Sequence, residues 1–400
     1  MTRRAEFAAE LARLRAVSGR SLADVADAAH VHRTHLSHVE HLRRWPSRPV
    51  VEALDVALGA DGNLLGRWLG AERAGAAPPI LATATDPDLS DRLARVLDRP
   101  ERVDHAVVGH LAVLLDGQRR LEDVLGAGRV LPTTLAQLDV IDDLSRAARA
   151  GVRHDLLSIG AQWRQFAGWQ AQDLGRVADA LAHYDRAAEA ASETGDANML
   201  VSVLSLKSHM AWAARDPARA VGLAAAGQRH PGRVSPGVLG LIAQQEARGH
   251  ALDGDADAAH RLIEQAGSWA ERAAAAPEAE PPWVYFQDRA RLLFQRGVVD
   301  LELGRHGPAA ELFAAACDAL PESYPRDRSR YLADLALAAA RGGDVDRAVA
   351  AGRDALDLVR DTGSAHALAD LGAMLVALQP HAAHPDVRDL RAAVPRRHPG

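Results

Sequence analysis

Residues 21–44 read SLADVADAAHVHRTHLSHVEHLRR. Apolar side chains recur at helical spacing on both sides of residues 29–32, and that break fits only a sharp turn between two helices. The second helix carries basic and hydroxyl side chains at its start. Because a short helix with such a surface fits the major groove of DNA, the stretch predicts a helix-turn-helix that contacts DNA.

The second of these helices offers two sets of candidate DNA contacts. Arginine pairs with guanine O6 and N7, and threonine offers a methyl group or a hydroxyl, so three side chains are predicted to contact bases: Arg33, Thr34 and His38. Contacts to phosphates, which position a protein without reading sequence, are predicted for His32, Ser37, His41, Arg43 and Arg44. The alternative is a solvated polar helix face.

Helical periodicity continues around this stretch and predicts a compact five-helix domain over residues 1–69. The first helix is expected at 4–17. Ser21 and Asp24 form a variant of the capping box at the start of the second helix. Ser47 is expected to cap the fourth helix, and the turn at 59–62 leads into the fifth.

Charge is unevenly distributed along the 400 residues. The net charge of the chain is −6, but residues 1–70 hold 10 Lys+Arg against 8 Asp+Glu, which leaves −8 for the remainder. A locally basic segment on a mildly acidic protein suits a regulator that must not coat DNA indiscriminately.

The run VHRTHLSHVE at 31–40, followed by RRWPS at 43–47, resembles the Xre/Cro-C1-type repressor domain, which shows a similar V-S-x-x-x-L-S-x-I-E run followed by basic residues, Pro and Ser. The resemblance covers about residues 5–69. Four positions depart from the family pattern: His30 and Leu42 replace usual glycines, His32 replaces a capping Ser, and Leu22 stands where many members carry a phosphate-contacting Gln.

A second pattern repeats from about residue 155 onward. A small or basic residue stands five positions before a recurring alanine, and the alanines are 40, 39, 50 and 39 residues apart: Gly175 and Ala180, Arg215 and Ala220, Gly254 and Ala259, Gly304 and Ala309, Gly343 and Ala348. Each unit reads as two helices around a turn, with the small residue expected where the helices approach closely. Such pairs stack into a solenoid, similar to degenerate tetratricopeptide repeats.

These patterns predict an all-α protein with a repressor-type head and a helical-repeat solenoid. Only 4% of residues are aromatic, and the apolar content is largely Ala and Leu, which favours helices over strands. The expected boundaries are a helix-turn-helix domain at 1–69, a linker at 70–88, a helical connector at 89–153, repeats at 154–394 and a disordered tail at 395–400.

The whole layout resembles actinobacterial helix-turn-helix regulators with tetratricopeptide-like C-terminal domains, and it is similar in plan to the peptide-pheromone-sensing (RRNPP) regulators. That resemblance implies a homodimer that binds a double-stranded DNA operator, with a repeat body that takes a peptide or small-molecule effector on its concave face.

Polar and aromatic side chains of the repeats are candidates for a ligand groove, since solenoids present continuous concave surfaces. The candidates are Trp169, Gln170, Asn198, Lys207, His209, Trp283, Tyr285, Phe286, Asp288 and Arg289. The alternative for each is core packing or solvation.

The cluster of five histidines at 30–41 raises the possibility of zinc binding, because His35, His38 and His41 recur at a spacing of three. Polar surface residues on a DNA-binding helix are the alternative, and we expect no metal or cofactor. No phosphate-binding loop, catalytic triad or metal motif occurs, so no enzymatic activity is expected.

The sequence therefore predicts a ligand-sensing, dimeric transcriptional regulator. It shows no signal-peptide pattern and no apolar run long enough for a bilayer, which predicts a cytoplasmic protein without membrane partners. Two alternatives remain: a DNA-binding scaffold whose repeats recruit a protein partner without a small ligand, and a metal-dependent enzyme built on the histidines.

Overall fold

The computed structural model describes residues 3–41, 46–60, 62–68, 87–229 and 231–395. All regular elements in these ranges are helical, which confirms the predicted all-α fold. The chain divides into two compact units, Met1–Ser90 and Asp91–Gly400, which we call the head and the body. The predicted linker and tail lie, except for residues 87, 88 and 395, outside the described residues.

The described part of the head contains five helices. They are α1 (Arg3–Val17), α2 (Leu22–Ala28), α3 (Arg33–Glu40), α4 (Arg48–Leu58) and α5 (63–68). Their apolar faces meet in one core, whose buried members include Phe7, Leu11, Leu36, Leu54 and Trp68. The helical spacing of apolar residues therefore identified the faces that pack together.

Side chains fix the starts of two head helices differently. The hydroxyl of Ser21 accepts a hydrogen bond from the Asp24 backbone N–H at 3.2 Å, and the Asp24 carboxylate accepts one from the Ser21 N–H at 2.9 Å. The predicted capping box is thus confirmed. Ser47 does occupy the N-cap of α4, but its side chain makes no capping hydrogen bond, so the predicted cap is wrong in that respect.

The start of α5 is held by a residue of the preceding helix. The carboxylate of Asp55, on α4, accepts hydrogen bonds from the backbone N–H groups of Gly62, Leu64 and Leu65 at 2.7, 2.8 and 3.2 Å. A buried carboxylate is stable there because three donors replace its water.

The body contains fifteen helices within its described ranges. They are α6 (Pro87–Asp98), α7 (His105–Leu125), α8 (Ala127–Ala147), α9 (Ala150–Asp173), α10 (Val177–Thr194), α11 (Ala197–Ala213), α12 (Pro217–Gly227), α13 (Pro236–Asp253), α14 (Ala256–Ala275), α15 (Arg289–Glu302), α16 (His306–Ala319), α17 (Pro325–Arg341), α18 (Val345–Thr362), α19 (Ala365–Ala377) and α20 (Pro385–Ala393). The first of these, α6, begins within the head's range.

Helices α9 to α18 form five consecutive pairs, and each odd-numbered helix packs on its own partner and on the next odd-numbered helix. This arrangement agrees with the predicted helical-repeat solenoid. The five recurring alanines are completely buried where the paired helices meet: Ala180, Ala220, Ala259, Ala309 and Ala348.

The residues five positions earlier have a different role from the one expected. All five adopt left-handed backbone conformations, with φ between 61° and 86°. A Cβ atom added at any of the four glycines would have nothing within 4 Å, so the turn needs glycine for its dihedral angle rather than for close approach. Close approach occurs instead at Gly168 and Gly297, which face the rings of Tyr184 and Phe313.

Helix α7, which precedes the five helix pairs, packs against the last of them. Helix α7 contacts α17 and α18, and Glu122 Oε1 lies 3.2 Å from Arg326 Nε. This contact joins residues far apart in the chain. None of the helices within the described ranges has the length and apolarity that crossing a bilayer requires.

Candidate DNA-contacting surface and interior cavity

Helix α3 turns one face into the head and the other toward solvent. Leu36 and Val39 are buried, while Arg33 and Thr34 are exposed and His38 is half-buried. Arg33 forms no ion pair with a described carboxylate. The three predicted base contacts therefore lie on an accessible face at the start and middle of α3.

The one acidic residue of α3 is neutralised by a neighbouring helix. Glu40 accepts two hydrogen bonds from the Arg15 guanidinium of α1, at 2.7 and 3.1 Å, and its side chain is almost fully buried. The hydrogen bond to Glu40 raises the pKa of Arg15. This bidentate pair fixes α3 against α1 and removes a charge that would repel phosphate.

The turn before α3 accommodates the residues that depart from the family pattern. His30 has a left-handed backbone, with φ of 53°, at the position where the family has glycine. His32 occupies the N-cap, and its Nδ1 accepts a hydrogen bond from the Thr34 N–H at 3.3 Å. Because a neutral imidazole has one donor and one acceptor nitrogen, this cap leaves an N–H on Nε2 of His32.

The remaining phosphate candidates divide into two groups. Ser37 is half-buried and His41 is exposed, with His41 Nδ1 donating to the Ser37 carbonyl oxygen at 2.8 Å. His41 can donate from Nε2 only when it is protonated. Arg43 and Arg44 lie outside the described residues. Across the described ranges, no group of three or more His, Cys, Asp or Glu side chains is arranged to hold a metal ion.

Four of the ten predicted ligand residues line one cavity inside the body. They are Trp169, Trp283, Tyr285 and Phe286, and the cavity has a volume of about 100 Å³. Trp283, Tyr285 and Phe286 belong to the segment between α14 and α15, which reaches α11 through a hydrogen bond from Trp283 to Ser202 and α7 through one from Tyr285 to Asp123.

The other six predicted ligand residues do not line this cavity. Gln170 and His209 are buried, and His209 Nδ1 lies 2.7 Å from Arg248 Nη1. Asn198 and Lys207 serve local structure, as partners of the Ser235 N–H and of Asp185.

The last two of these six lie at the start of one helix. Asp288 caps α15, and Arg289 beside it is exposed. The structure therefore does not bring all ten residues together in one cavity.

The cavity wall also contains buried charged residues that were not predicted from the sequence. Arg119, Glu122 and Asp123 of α7 and Arg326 of α17 all line it. Burial lowers the pKa of Arg119 to about 10 and raises that of Glu122 to about 8. Burial also raises the pKa of Asp123, whose Oδ2 accepts a hydrogen bond from the Tyr285 hydroxyl at 2.7 Å.

A sequence signal for the α7 residues did exist. The buried stripe of Val107, Leu111 and Leu115 continues at helical spacing into Arg119 and Glu122. A charged residue on such a stripe is buried with it, and buried charges mark candidate functional sites.

Comparison with known families supports the head. A family model described as a helix-turn-helix domain matches residues 6–68. The head is a helix-turn-helix domain, as predicted. No curated protein matches the chain significantly.

Proposed function

We propose that the chain is a sequence-specific DNA-binding transcriptional regulator, in which the head reads an operator and the body dimerises and senses an effector. The arrangement of side chains on α3 is the observation that supports DNA binding. It buries Leu36 and Val39, exposes Arg33 and Thr34, and has its single carboxylate paired with Arg15.

In this proposal α3 enters the major groove. Arg33 donates two hydrogen bonds to a guanine, while Thr34 and His38 contact neighbouring base edges. The Nε2–H of His32 donates to a phosphate, together with Ser37, His41, Arg43 and Arg44. No step of this function requires catalysis.

The dimer and the effector complete the proposal. Two heads on a near-palindromic operator contact half-sites roughly 34 Å apart. The cavity of the body supports the sensing role, because its filling can favour one arrangement of the body over another. The resemblance of the head to Xre-type repressor domains and of the body to tetratricopeptide repeats agrees with this proposal.

Titrations on DNA test the base contact. After the preferred operator is selected from random DNA, Arg33→Ala should weaken operator binding roughly 5- to 150-fold, as expected for one lost bidentate contact. Binding to random DNA should change little. Arg13→Ala is the matched control, since Arg13 is an exposed arginine of α1 that pairs with Glu10.

Equal losses on operator and random DNA would overturn the assignment of Arg33 to base reading. Arg44→Ala should instead weaken both DNAs and reduce the salt slope by about one. Sedimentation of the protein–DNA complex tests the dimer, and a single chain per operator would contradict it.

A further inference from the structure

The cavity of the body is lined in part by aromatic and aliphatic groups. Trp169, Trp283, Leu206 and Leu241 contribute to this wall. Trp283 is held in place by a hydrogen bond from its Nε1 to the Ser202 hydroxyl at 2.9 Å. Such a wall suits a flat apolar ligand body.

The cavity is also lined by a buried cation, Arg119, on which Asp116 of the same helix acts without forming an ion pair. Arg119 is only 4% exposed, and its Nη2 atom has no hydrogen-bond partner. Within the described ranges it forms no ion pair. Its pKa, lowered by burial to about 10, still leaves it charged at neutral pH. An unpaired buried charge is costly unless something compensates it.

A second arginine adds to the positive charge. Arg291 also lines the cavity and likewise forms no ion pair with a described carboxylate. Its guanidinium carbon lies 5.7 Å from the centre of the Phe286 ring and 5.8 Å from that of Phe294. These contacts are to aromatic rings and supply no negative charge.

The carboxyl groups that line the cavity are already engaged. Arg326 lies within ion-pair distance of Glu122 and of Asp327, at 3.2 and 3.3 Å, and Asp123 accepts the Tyr285 hydroxyl. Glu122, whose pKa is raised by burial to about 8, holds a proton at neutral pH. With Glu122 protonated, the three arginines of the cavity wall, Arg119, Arg291 and Arg326, face two carboxylates, Asp123 and Asp327, which leaves a net charge of +1.

We propose that this cavity binds a small organic anion, a carboxylate on a flat apolar body, with the carboxylate on Arg119 and the body against Trp169 and Trp283. This inference deepens the proposed function and rests on its sensing role. A volume of about 100 Å³ holds roughly seven to ten water-sized groups, which suits an aromatic acid and is too small for a peptide.

Calorimetric titration of the full chain with benzoate and phenylacetate, each against its neutral amide, tests the proposal. We expect the acids to bind one per chain and roughly 10- to 100-fold more tightly than the amides, since a charged partner for Arg119 is the difference. Arg119→Met should lose this preference, and Arg119→Lys should keep part of it. Arg129→Met, an exposed arginine of α8, is the matched control.

A stability measurement makes the test independent of affinity. Without ligand, Arg119→Met should melt at or above the temperature of the wild type, because it removes an uncompensated buried charge. Millimolar benzoate should raise the melting temperature of the wild type and of Arg129→Met only.

Failure of this inference is distinguishable from failure of the proposed function. If neither acid binds better than its amide while operator binding is intact, the anion site is wrong and the DNA-binding function stands. If the acids bind through Arg119 but leave operator affinity unchanged, the site stands and the sensing role fails.

Discussion

The head and the body treat buried charge in different ways. In the described part of the head, three backbone N–H groups compensate the buried Asp55, and Arg15 compensates the almost fully buried side chain of Glu40. Within its described ranges the body buries nine charged residues, four of which line the cavity. Arg326 is paired with acids there, whereas Arg119 is not. The two buried carboxyl groups of the head are thus compensated, whereas the body also buries a cation, Arg119, that forms no ion pair with a described residue.

The exposed charges of the two units also differ in what they contact. Arg33 of the head lies on α3 without a described counter-ion, whereas many surface arginines of the body, such as Arg153, pair with a neighbouring acid. Arg33 on the surface of the head and Arg119 in the interior of the body thus both lack an ion pair among the described residues. The candidate site of each unit contains one of these two arginines.

Removing the compensated interior cation should have the largest effect on stability. Arg326→Met leaves Glu122, Asp123 and Asp327 without their common partner, and breaking a buried pair costs about 3–5 kcal/mol. We expect the lower end, about 3 kcal/mol, because Glu122 can hold a proton. Urea unfolding of the full chain, followed by circular dichroism, measures the change.

Arg153→Met provides the comparison for that variant. Arg153 pairs with Glu193 on the surface, and both side chains are about half exposed. Exposed pairs contribute less than about 1 kcal/mol. Similar losses in the two variants would show that interior and surface charges of the body are energetically alike.

The pH dependence of stability should identify Glu122. Burial raises the pKa of its carboxyl from 4.5 to about 8, so the folded chain holds a proton that the unfolded chain lacks between these values. Stability is therefore favoured at low pH and falls as pH rises through this window, by up to about 1.4 kcal/mol per unit. Unfolding at pH 5.5 and 7.5 should show a smaller slope in Glu122→Gln than in the wild type.

Glu193→Gln is the control for this titration, because Glu193 lies on the surface of the body. Its slope should match that of the wild type. An unchanged slope in Glu122→Gln would mean that Glu122 is ionised in the folded chain throughout.

The close contact between paired helices gives the next effect. In Gly297→Ala the new Cβ would lie 2.7 Å from a ring carbon of Phe313, which is completely buried. Overpacking of this kind costs about 1–3 kcal/mol. Gly222→Ala, with nothing within 4 Å, should stabilise the helix by about 0.5–1 kcal/mol. The urea midpoint should fall in Gly297→Ala and rise in Gly222→Ala. A rise in both variants would rule out the close approach of Gly297 to Phe313.

Local patterns predicted the helices of both units, but not the cavity. Apolar spacing located α2 and α3, and a five-residue offset located the repeat turns, because these features depend on neighbours in sequence. The cavity joins Asp123 to Tyr285, which are 162 positions apart. Such contacts depend on how far the solenoid curves, and curvature is the sum of many small packing choices. Aromatic clustering identified Trp283 and Tyr285 as candidate ligand residues. Arg119 lies in the segment predicted as a helical connector, where no ligand contact was expected.

The smallest effect concerns the left-handed residues that are not glycine, one of which is found in each unit. His30 has φ of 53° and Arg215 has φ of 61°. A left-handed backbone costs a residue other than glycine about 1–2 kcal/mol. Replacing that residue by glycine removes this cost, but glycine has greater conformational freedom in the unfolded chain, which offsets part of the gain. His30→Gly should therefore stabilise the head by about 0.5–1 kcal/mol.

Arg215 differs because its Nη1 donates to Glu302 at 2.6 Å, so in Arg215→Gly the lost pair offsets the gain. Hydrogen exchange of the full chain, read on peptides from α1–α3 and from α11, resolves the two effects. Slower exchange in both variants would show that the pair with Glu302 contributes nothing, and faster exchange in His30→Gly would show that the imidazole itself stabilises the turn.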